Sequence, residues 1–338
     1  MPSPNRAAMP PLTRRATLTG LVAAVASLPL RLHAAEKLGQ LTISGMPSTP
    51  SVVLAYVATH GVLDTLVTSP RLEIYRTPDQ MRSEVLAGSS KLFGIPTYSA
   101  ASMYNRGVPL RLVNILTWGE LYLLARDQPI HGIADLAGRH ILVPSHNDAP
   151  DLIFRLILRR AGLTPGKDLH LQYVGTPTEA VQLFLTGRAD CALLPEPAAS
   201  AAELRGEQYA IPVRRAIDLT EAYAALTGRA PRIAQAGLGV SEDFLEAHPD
   251  IVAAIHAGCV AGAAWTRDNP ADAAALGARY LGLPIPILAH SLPRFRLDVR
   301  SAVQARGDIE NYFTDLMELS PDIIGGRLPD SRFYWGPG

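Results

Sequence analysis

Glu196 is the side chain whose type and surroundings most directly suggest ligand chemistry. It stands between Pro195 and Pro197, after an apolar stretch, residues 191–194, that is typical of a buried strand. Proline lacks a backbone N–H and fixes its own φ angle, so the carboxylate is held in one direction with few local donors. Such a carboxylate suits a ligand amine, amide or ring N–H. The alternative is an acidic residue at the start of a helix over 198–204, where the helix dipole favours it.

A polar cluster, Ser145 to Asp148, precedes a second apolar helical pattern. Asp148 is expected to cap this helix, which leaves His146 and Asn147 able to contact a ligand. Tyr98 and Trp118 are candidates for an aromatic wall against the apolar face of a ligand, with core packing as the alternative for both.

The sequence contains no nucleophile elbow, His-Glu-x-x-His pair, phosphate-binding loop or dinucleotide glycine motif, which argues against an enzyme. Cys191 and Cys259 lie in apolar segments and are interpreted as small buried hydrophobic residues. Neither a metal site nor a cofactor is expected. The formal net charge is zero and charged residues make up 18% of the chain, which argues against a surface for binding polyanions.

An internal repeat supplies the elements that would position these residues. The segment Thr77 to Pro96 reappears 99 residues later as Thr176 to Pro195, and the similarity extends outward to residues 41–45 and 140–144. Each copy has the pattern strand, helix, strand, helix, strand, which predicts a parallel sheet covered by helices. Two copies predict an α/β protein of two similar parallel-sheet lobes.

Ligands of open parallel sheets bind beyond the carboxyl ends of the strands, so equivalent loops of the two lobes should face one cleft. The paired loops are 45–49 with 144–148, 76–77 with 175–176, and 95–99 with 195–197. Helix amino termini there offer unpaired N–H groups to a polar ligand, although the threonines could simply cap their own helices. The predicted contact residues are Ser48, Thr49, Thr97, Tyr98, Trp118, His146, Asn147, Asp148, Thr176 and Glu196.

Helix starts follow one pattern, a capping side chain followed by proline, at Thr49, Thr77, Thr176 and Asn269. Residues 110–116 and 121–125 are predicted as strands that end the first lobe, and 236–240 as the strand that returns to it. The lobes are therefore expected to comprise 36–124 with 236–338, and 125–235. Two crossings between lobes make a hinge.

Residues 1–35 have the pattern of an export signal. Arg14 and Arg15 precede an apolar stretch, 18–30, that is too short to cross a bilayer. The paired arginines favour the twin-arginine route, with a general secretory leader as the alternative.

Taken together, these features resemble the periplasmic solute-binding proteins of ABC importers, in the nitrate, sulfonate, taurine and thiamine-pyrimidine group with the type II two-lobed fold. The resemblance covers essentially all of the chain after the leader. The motifs that carry it are the leader, Ser48-Thr49-Pro50, Leu86-x-Gly88 before Gly94-Ile95, residues 132–141, Gly187-Arg-Ala-Asp190, Leu194-Pro-Glu196-Pro197 and Leu328-Pro329-Asp330.

The resemblance implies a periplasmic protein that captures a small polar organic molecule or anion between its lobes and delivers it to an ABC transporter permease. One alternative is an enzyme of the thiamine-pyrimidine synthase type, but Lys37, Lys91 and Lys167 lie outside the paired loops that would need its Schiff-base lysine. The other is a periplasmic sensor subunit. Arg76 is the single arginine in the strand-end loops, which favours a polar or zwitterionic ligand over a doubly charged oxyanion.

Overall fold

The computed structural model describes Met1 and residues 37–127 and 129–336. The export signal predicted over 1–35 lies, apart from Met1, outside the described residues. The strands are β1 Leu38–Gly45, β2 Val67–Ile74, β3 Leu92–Pro96, β4 Leu110–Thr117, β5 Leu121–Arg126, β6 His140–Pro144, β7 His170–Val174, β8 Cys191–Pro195, β9 Val213–Asp218, β10 Ala236–Ser241 and β11 Arg300–Ser301.

The α-helices lie between and after these strands. They are α1 Ser51–Thr59, α2 Pro78–Leu86, α3 Thr97–Asn105, α4 Ala149–Arg160, α5 Pro177–Leu185, α6 Ala198–Gln208, α7 Leu219–Thr227, α8 Glu242–Ala247, α9 Pro249–Asp268, α10 Pro270–Leu281, α11 Ile285–Ser291 and α12 Arg306–Met317. Short 3₁₀ turns occur at Ile133–Leu136, Leu292–Arg294, Pro321–Ile324 and Ser331–Phe333.

The described strands form two sheets of similar design. The first sheet has the order β11-β4-β10-β3-β1-β2 and the second β7-β6-β8-β5-β9. In the first, β1 pairs in parallel with β2 and β3; in the second, β6 pairs in parallel with β7 and β8. The first sheet also contains two reversed strands, since β10 runs antiparallel to β3 and β4, and β11 runs antiparallel to β4. The second sheet contains one, since β5 runs antiparallel to β8 and β9. The predicted two-sheet α/β architecture is confirmed, with these reversed strands in addition.

The internal repeat is confirmed element by element. The α2 helix and the α5 helix begin and end at positions 99 residues apart, and so do β3 and β8. Thr77 and Thr176 each cap their helix, because their side chains accept hydrogen bonds from the N–H groups of Gln80 and Glu179 at 3.1 Å. The two sheets are therefore built from equivalent copies of the same strand and helix unit.

Two of the four predicted helix caps are wrong. The α1 helix starts one residue late, after Pro50, and the Thr49 hydroxyl is buried without a hydrogen-bond partner. At α10, the Asn269 side chain donates to the Trp265 carbonyl instead of capping its own helix.

The chain crosses between the sheets earlier than expected. The predicted strand over 121–125 lies in the second sheet, so the first crossing is Trp118 to Glu120, and the second leads from the end of α7 to β10. The two crossings are in contact, since the Ile233 N–H donates to the Trp118 carbonyl at 3.5 Å. Gly119 has a φ of +97°, and a Cβ there would lie 2.3 Å from Thr220 Oγ1, so this position requires glycine.

The α9 and α10 helices pack on the α1 side of the first sheet, as the sequence predicts, whereas α11 also contacts α6 and α12 contacts α4. Ile251, Ile255 and Cys259 of α9 join Val53 and Val57 of α1 in one buried cluster. Both cysteines are free and buried, and burial raises the pKa of each thiol to about 12, so both behave as hydrophobic side chains. Of the helices within the described residues, none combines the length and apolar character needed to cross a bilayer.

Candidate functional site

A cavity of about 700 Å³ lies where loops from the two sheets meet; we call it the central cavity. The β1–α1 loop faces the start of α4, the β2–α2 loop faces the start of α5, and the β3–α3 junction faces the β8–α6 loop. These are the three loop pairs that the repeat predicts to share a cleft. The crossings and the segment before α11 complete the wall.

The structure brings half of the predicted contact residues to this cavity. Ser48, Tyr98, Asp148, Thr176 and Glu196 line it. Thr49, Thr97, Trp118, His146 and Asn147 do not.

Four of the five residues away from the cavity have partners in the protein, and the fifth, Thr49, is buried. The Thr97 hydroxyl donates to the Ala234 carbonyl, and Thr49 is fully buried. Trp118 belongs to the core: it is 2% exposed and its indole N–H donates to the Asp298 carbonyl. The His146 ring packs against the Tyr173 ring, with 4.2 Å between the ring centroids. The Asn147 side chain accepts a hydrogen bond from the Arg155 guanidinium at 3.1 Å.

The predicted role of Asp148 as a helix cap is confirmed, since its side chain accepts from the Ala149 N–H at 2.8 Å. The same carboxylate accepts a hydrogen bond from the hydroxyl of Tyr98, on α3. Burial raises the pKa of Tyr98 well above its ordinary value, and the charge of Asp148 acts in the same direction. Because α3 flanks the first sheet and α4 the second, this bond ties together the two halves of the cavity wall.

Glu196 is held by protein groups rather than left open to a ligand. One carboxylate oxygen lies 2.6 Å from Arg215 Nη2, and the carboxylate also accepts from the N–H and hydroxyl of Ser200. Burial raises the pKa of Glu196, while Arg215 and Ser200 act against that shift. These contacts support the helix-start role. They leave Glu196 with little capacity to accept a further hydrogen bond.

Arg215 is the cation of a larger, partly buried group of charged residues beside the cavity. Its Nε donates to Glu203 at 2.9 Å, and its guanidinium carbon lies 4.3 Å from the centre of the Tyr122 ring. Glu203 in turn contacts His290 of α11 at 3.1 Å. The charge of Arg215 is therefore already shared between two carboxylates.

Glu120 is the cavity residue that sequence reasoning missed. It lies at the first crossing, is 4% exposed, and its Oε1 atom has no hydrogen-bond partner. Burial raises the pKa of the Glu120 carboxyl to about 8, and the negative charge of Glu196 adds to the shift. The available signal was Trp118-Gly119-Glu120, a polar interruption between two apolar strands. Its importance depends on the cavity wall, which sequence alone does not show.

The rest of the lining is mainly apolar. It includes nine prolines, which contribute no N–H donors: Pro47, Pro50, Pro78, Pro96, Pro150, Pro177, Pro195, Pro197 and Pro284. Ile153, Val181 and Ile287 add aliphatic surface. Thr117 also lines the cavity, and its hydroxyl lowers the pKa of the Glu120 carboxyl, against the effect of burial. Arg76 and Arg205 are the cationic lining residues, and both are exposed.

The chemistry suits binding. Among the described lining residues there is no lysine, histidine or cysteine to act as a nucleophile or a Schiff-base amine. Lys37 donates to the Asp64 carbonyl and Lys91 pairs with Asp243, both away from the cavity. Within 37–127 and 129–336, no group of three or more His, Cys, Asp or Glu side chains is arranged to hold a metal ion.

Comparison with known proteins places this arrangement in context. The chain is 29% identical over 176 residues to a putative aliphatic sulfonates-binding protein of Escherichia coli strain K12, a match that covers 51% of this chain. The chain spans about half the length of this curated relative, 49%.

Solved structures share the fold across most of both chains. An ABC transporter protein from Parabacteroides distasonis is 21% identical with a TM-score of 0.73, covering 90% of this chain and 100% of that one. The periplasmic aliphatic sulphonate binding protein from Escherichia coli is 20% identical with a TM-score of 0.69, covering 88% and 92%.

A family description, "ABC transporter, phosphonate, periplasmic substrate-binding protein", matches residues 67–261. That match includes more than half of the chain and most strands of both sheets. The chain therefore belongs to the family of periplasmic substrate-binding proteins of phosphonate-type ABC transporters.

Proposed function

We propose that this protein captures a small organic molecule in the central cavity and delivers it to the permease of an ABC importer. The observation that carries the proposal is the cavity itself, about 700 Å³, walled by equivalent loops of two repeated sheets. Its size lies within the range of about 300 to 1,000 Å³ that is typical of small-molecule sites. Family membership supports transport over sensing or catalysis.

We propose that the two sheets are the cores of two lobes that move about the crossings. The sheets support boundaries close to 36–124 with 236–338 and 125–235, with the first crossing shifted to 118–120. Contacts across the cavity, such as Tyr98 with Asp148 and His290 with Glu203, would then form as the lobes close.

We propose that the chain works in the periplasm and that Arg14 and Arg15 direct it to the twin-arginine route. Replacing both arginines with lysine should abolish export by that route and leave the protein in the cytoplasm. Periplasmic accumulation equal to that of wild type would refute the route and leave the binding function standing.

The binding function is tested by identifying what the protein retains. The purified chain is washed, denatured, and its released small molecules are measured by mass spectrometry. One organic compound in near-stoichiometric amount is expected, and it should restore compaction in small-angle scattering when added back. A protein that retains no compound and compacts with none of the solutes of its host would contradict the proposal.

A further inference from the structure

The central cavity carries an excess of acidic groups. Three carboxyl groups line it, those of Glu120, Asp148 and Glu196. Of these three, Glu196 alone forms an ion pair within the described residues, with Arg215. Asp148 accepts from a neutral Tyr98 hydroxyl, and Glu120 Oε1 has no partner. Among the described residues, no cation is therefore paired with the carboxyl group of Asp148 or with that of Glu120.

The positive groups of the wall do not offset this excess. Arg76 and Arg205 are exposed, so water and salt screen their charge. Glu120, by contrast, is 4% exposed, and a charge in such a place interacts much more strongly. An oxyanion buried beside Glu120 would meet a carboxyl group and no buried, available cation.

The rest of the cavity lining favours a ligand with an apolar body. Nine prolines and several aliphatic side chains line the cavity. A ligand of matching chemistry has a hydrocarbon portion and one positively charged nitrogen.

We propose, on the basis of the proposed binding function, that the cavity takes an organic amine with an apolar body, whose cationic nitrogen pairs with the Glu120 carboxylate. The Thr117 side chain lines the same cavity and acts on the Glu120 carboxyl, because its hydroxyl lowers the pKa of that group against the effect of burial. This specificity differs from the phosphonate and sulfonate chemistry that the names of the family and of its relative describe.

The raised pKa of Glu120 makes this pairing measurable through proton release and through the pH dependence of binding. Burial raises the pKa of its carboxyl to about 8, so the empty site holds a proton at neutral pH that a bound cation would displace. The charged groups that share the cavity wall are Glu196, Asp148, Arg76 and Arg205. Amine binding should therefore release about one proton per chain and strengthen by up to tenfold per pH unit from about pH 6 to 8.

The test uses three probes with one hydrocarbon body: 3-phenylpropylamine, 3-phenylpropanol and 3-phenylpropane-1-sulfonate. Calorimetry on the washed, purified chain in two buffers of different ionisation enthalpy measures affinity and proton release together. Wild type should bind the amine at least tenfold more tightly than the other two. Glu120→Gln should lose at least tenfold in amine affinity and all proton release, while its affinity for the alcohol stays unchanged. Glu246→Gln, the same change at an exposed position, should match wild type.

Several outcomes would overturn the proposal. Tighter binding of the sulfonate, equal binding of all three probes, or amine binding that Glu120→Gln does not weaken would each refute the role of Glu120 and leave the binding function intact. Failure of every probe to bind also refutes the amine specificity. The binding function itself fails only if the retained-compound measurement is negative as well.

Discussion

Glu120→Gln is predicted to stabilise the ligand-free protein at neutral pH, although it removes a polar group of the site. The cause is the pKa difference between the two states of the chain: about 8 in the folded protein and roughly 4.3 for an unfolded glutamate. Between these values the folded state binds a proton that the unfolded state has released. The stability of wild type therefore falls as pH rises through this window.

The size of the effect follows from the same difference. Each pKa unit corresponds to about 1.36 kcal/mol, so the upper bound at pH 7 is roughly 4 kcal/mol. Structural relaxation around an ionised Glu120 reduces this value, and we expect the variant to gain about 2 to 4 kcal/mol at pH 7. The gain should vanish near pH 4, where both states of the wild-type carboxyl are protonated. It should level off above pH 8.

The measurement is urea unfolding of both proteins from pH 4 to 8.5, with Glu246→Gln as the matched control. A difference between Glu120→Gln and wild type that grows with pH, and that is absent from the control, supports the reasoning. A difference that does not depend on pH, or a variant less stable than wild type at pH 7, would show that Glu120 is compensated in the folded protein.

Three further substitutions test other contacts. Glu196→Gln should lower the free energy of unfolding by about 3 kcal/mol, because it leaves Arg215 with one acidic partner in a buried place; an unchanged melting temperature in scanning calorimetry would reject the structural role. Gly119→Ala should cost about 2 kcal/mol through its positive φ and its approach to Thr220, and unfolding at wild-type urea concentration would argue against strain at the crossing. Tyr98→Phe should cost about 1 kcal/mol and increase the radius of gyration of the ligand-free protein in scattering, whereas unchanged scattering would mean that its bond does not join moving parts.

The repeated unit could be predicted from sequence because it depends on local patterns, namely helix caps and apolar strand segments, that occur in both copies. Thr77 and Thr176 cap equivalent helices, and the apolar patterns of β3 and β8 are those of buried strands. The pairing of facing loops also followed, since equivalent strand ends of two similar sheets lie at the same edge.

The site residues were harder to predict because they depend on neighbours distant in sequence. Trp118 was expected to contact a ligand, yet its indole is used by a carbonyl 180 residues away. One interpretation of Glu196 was that it accepts a hydrogen bond from a ligand, yet its carboxylate pairs with Arg215 of β9. Glu120 became prominent only because no such partner reaches it. The β5 strand was assigned to the first lobe because its composition does not reveal which sheet it joins.

The central claim, that the cavity between the sheets holds a small organic molecule, is tested most directly by filling it. Ala201 of α6 lines the cavity, and Ala201→Trp would place a bulky indole at its wall, while Ala225→Trp on the exposed face of α7 is the matched control. Native mass spectrometry of the purified chains should show one bound compound per chain in wild type and in Ala225→Trp, and none in a folded Ala201→Trp. Retention of the same compound by Ala201→Trp would place the binding site elsewhere and contradict the account.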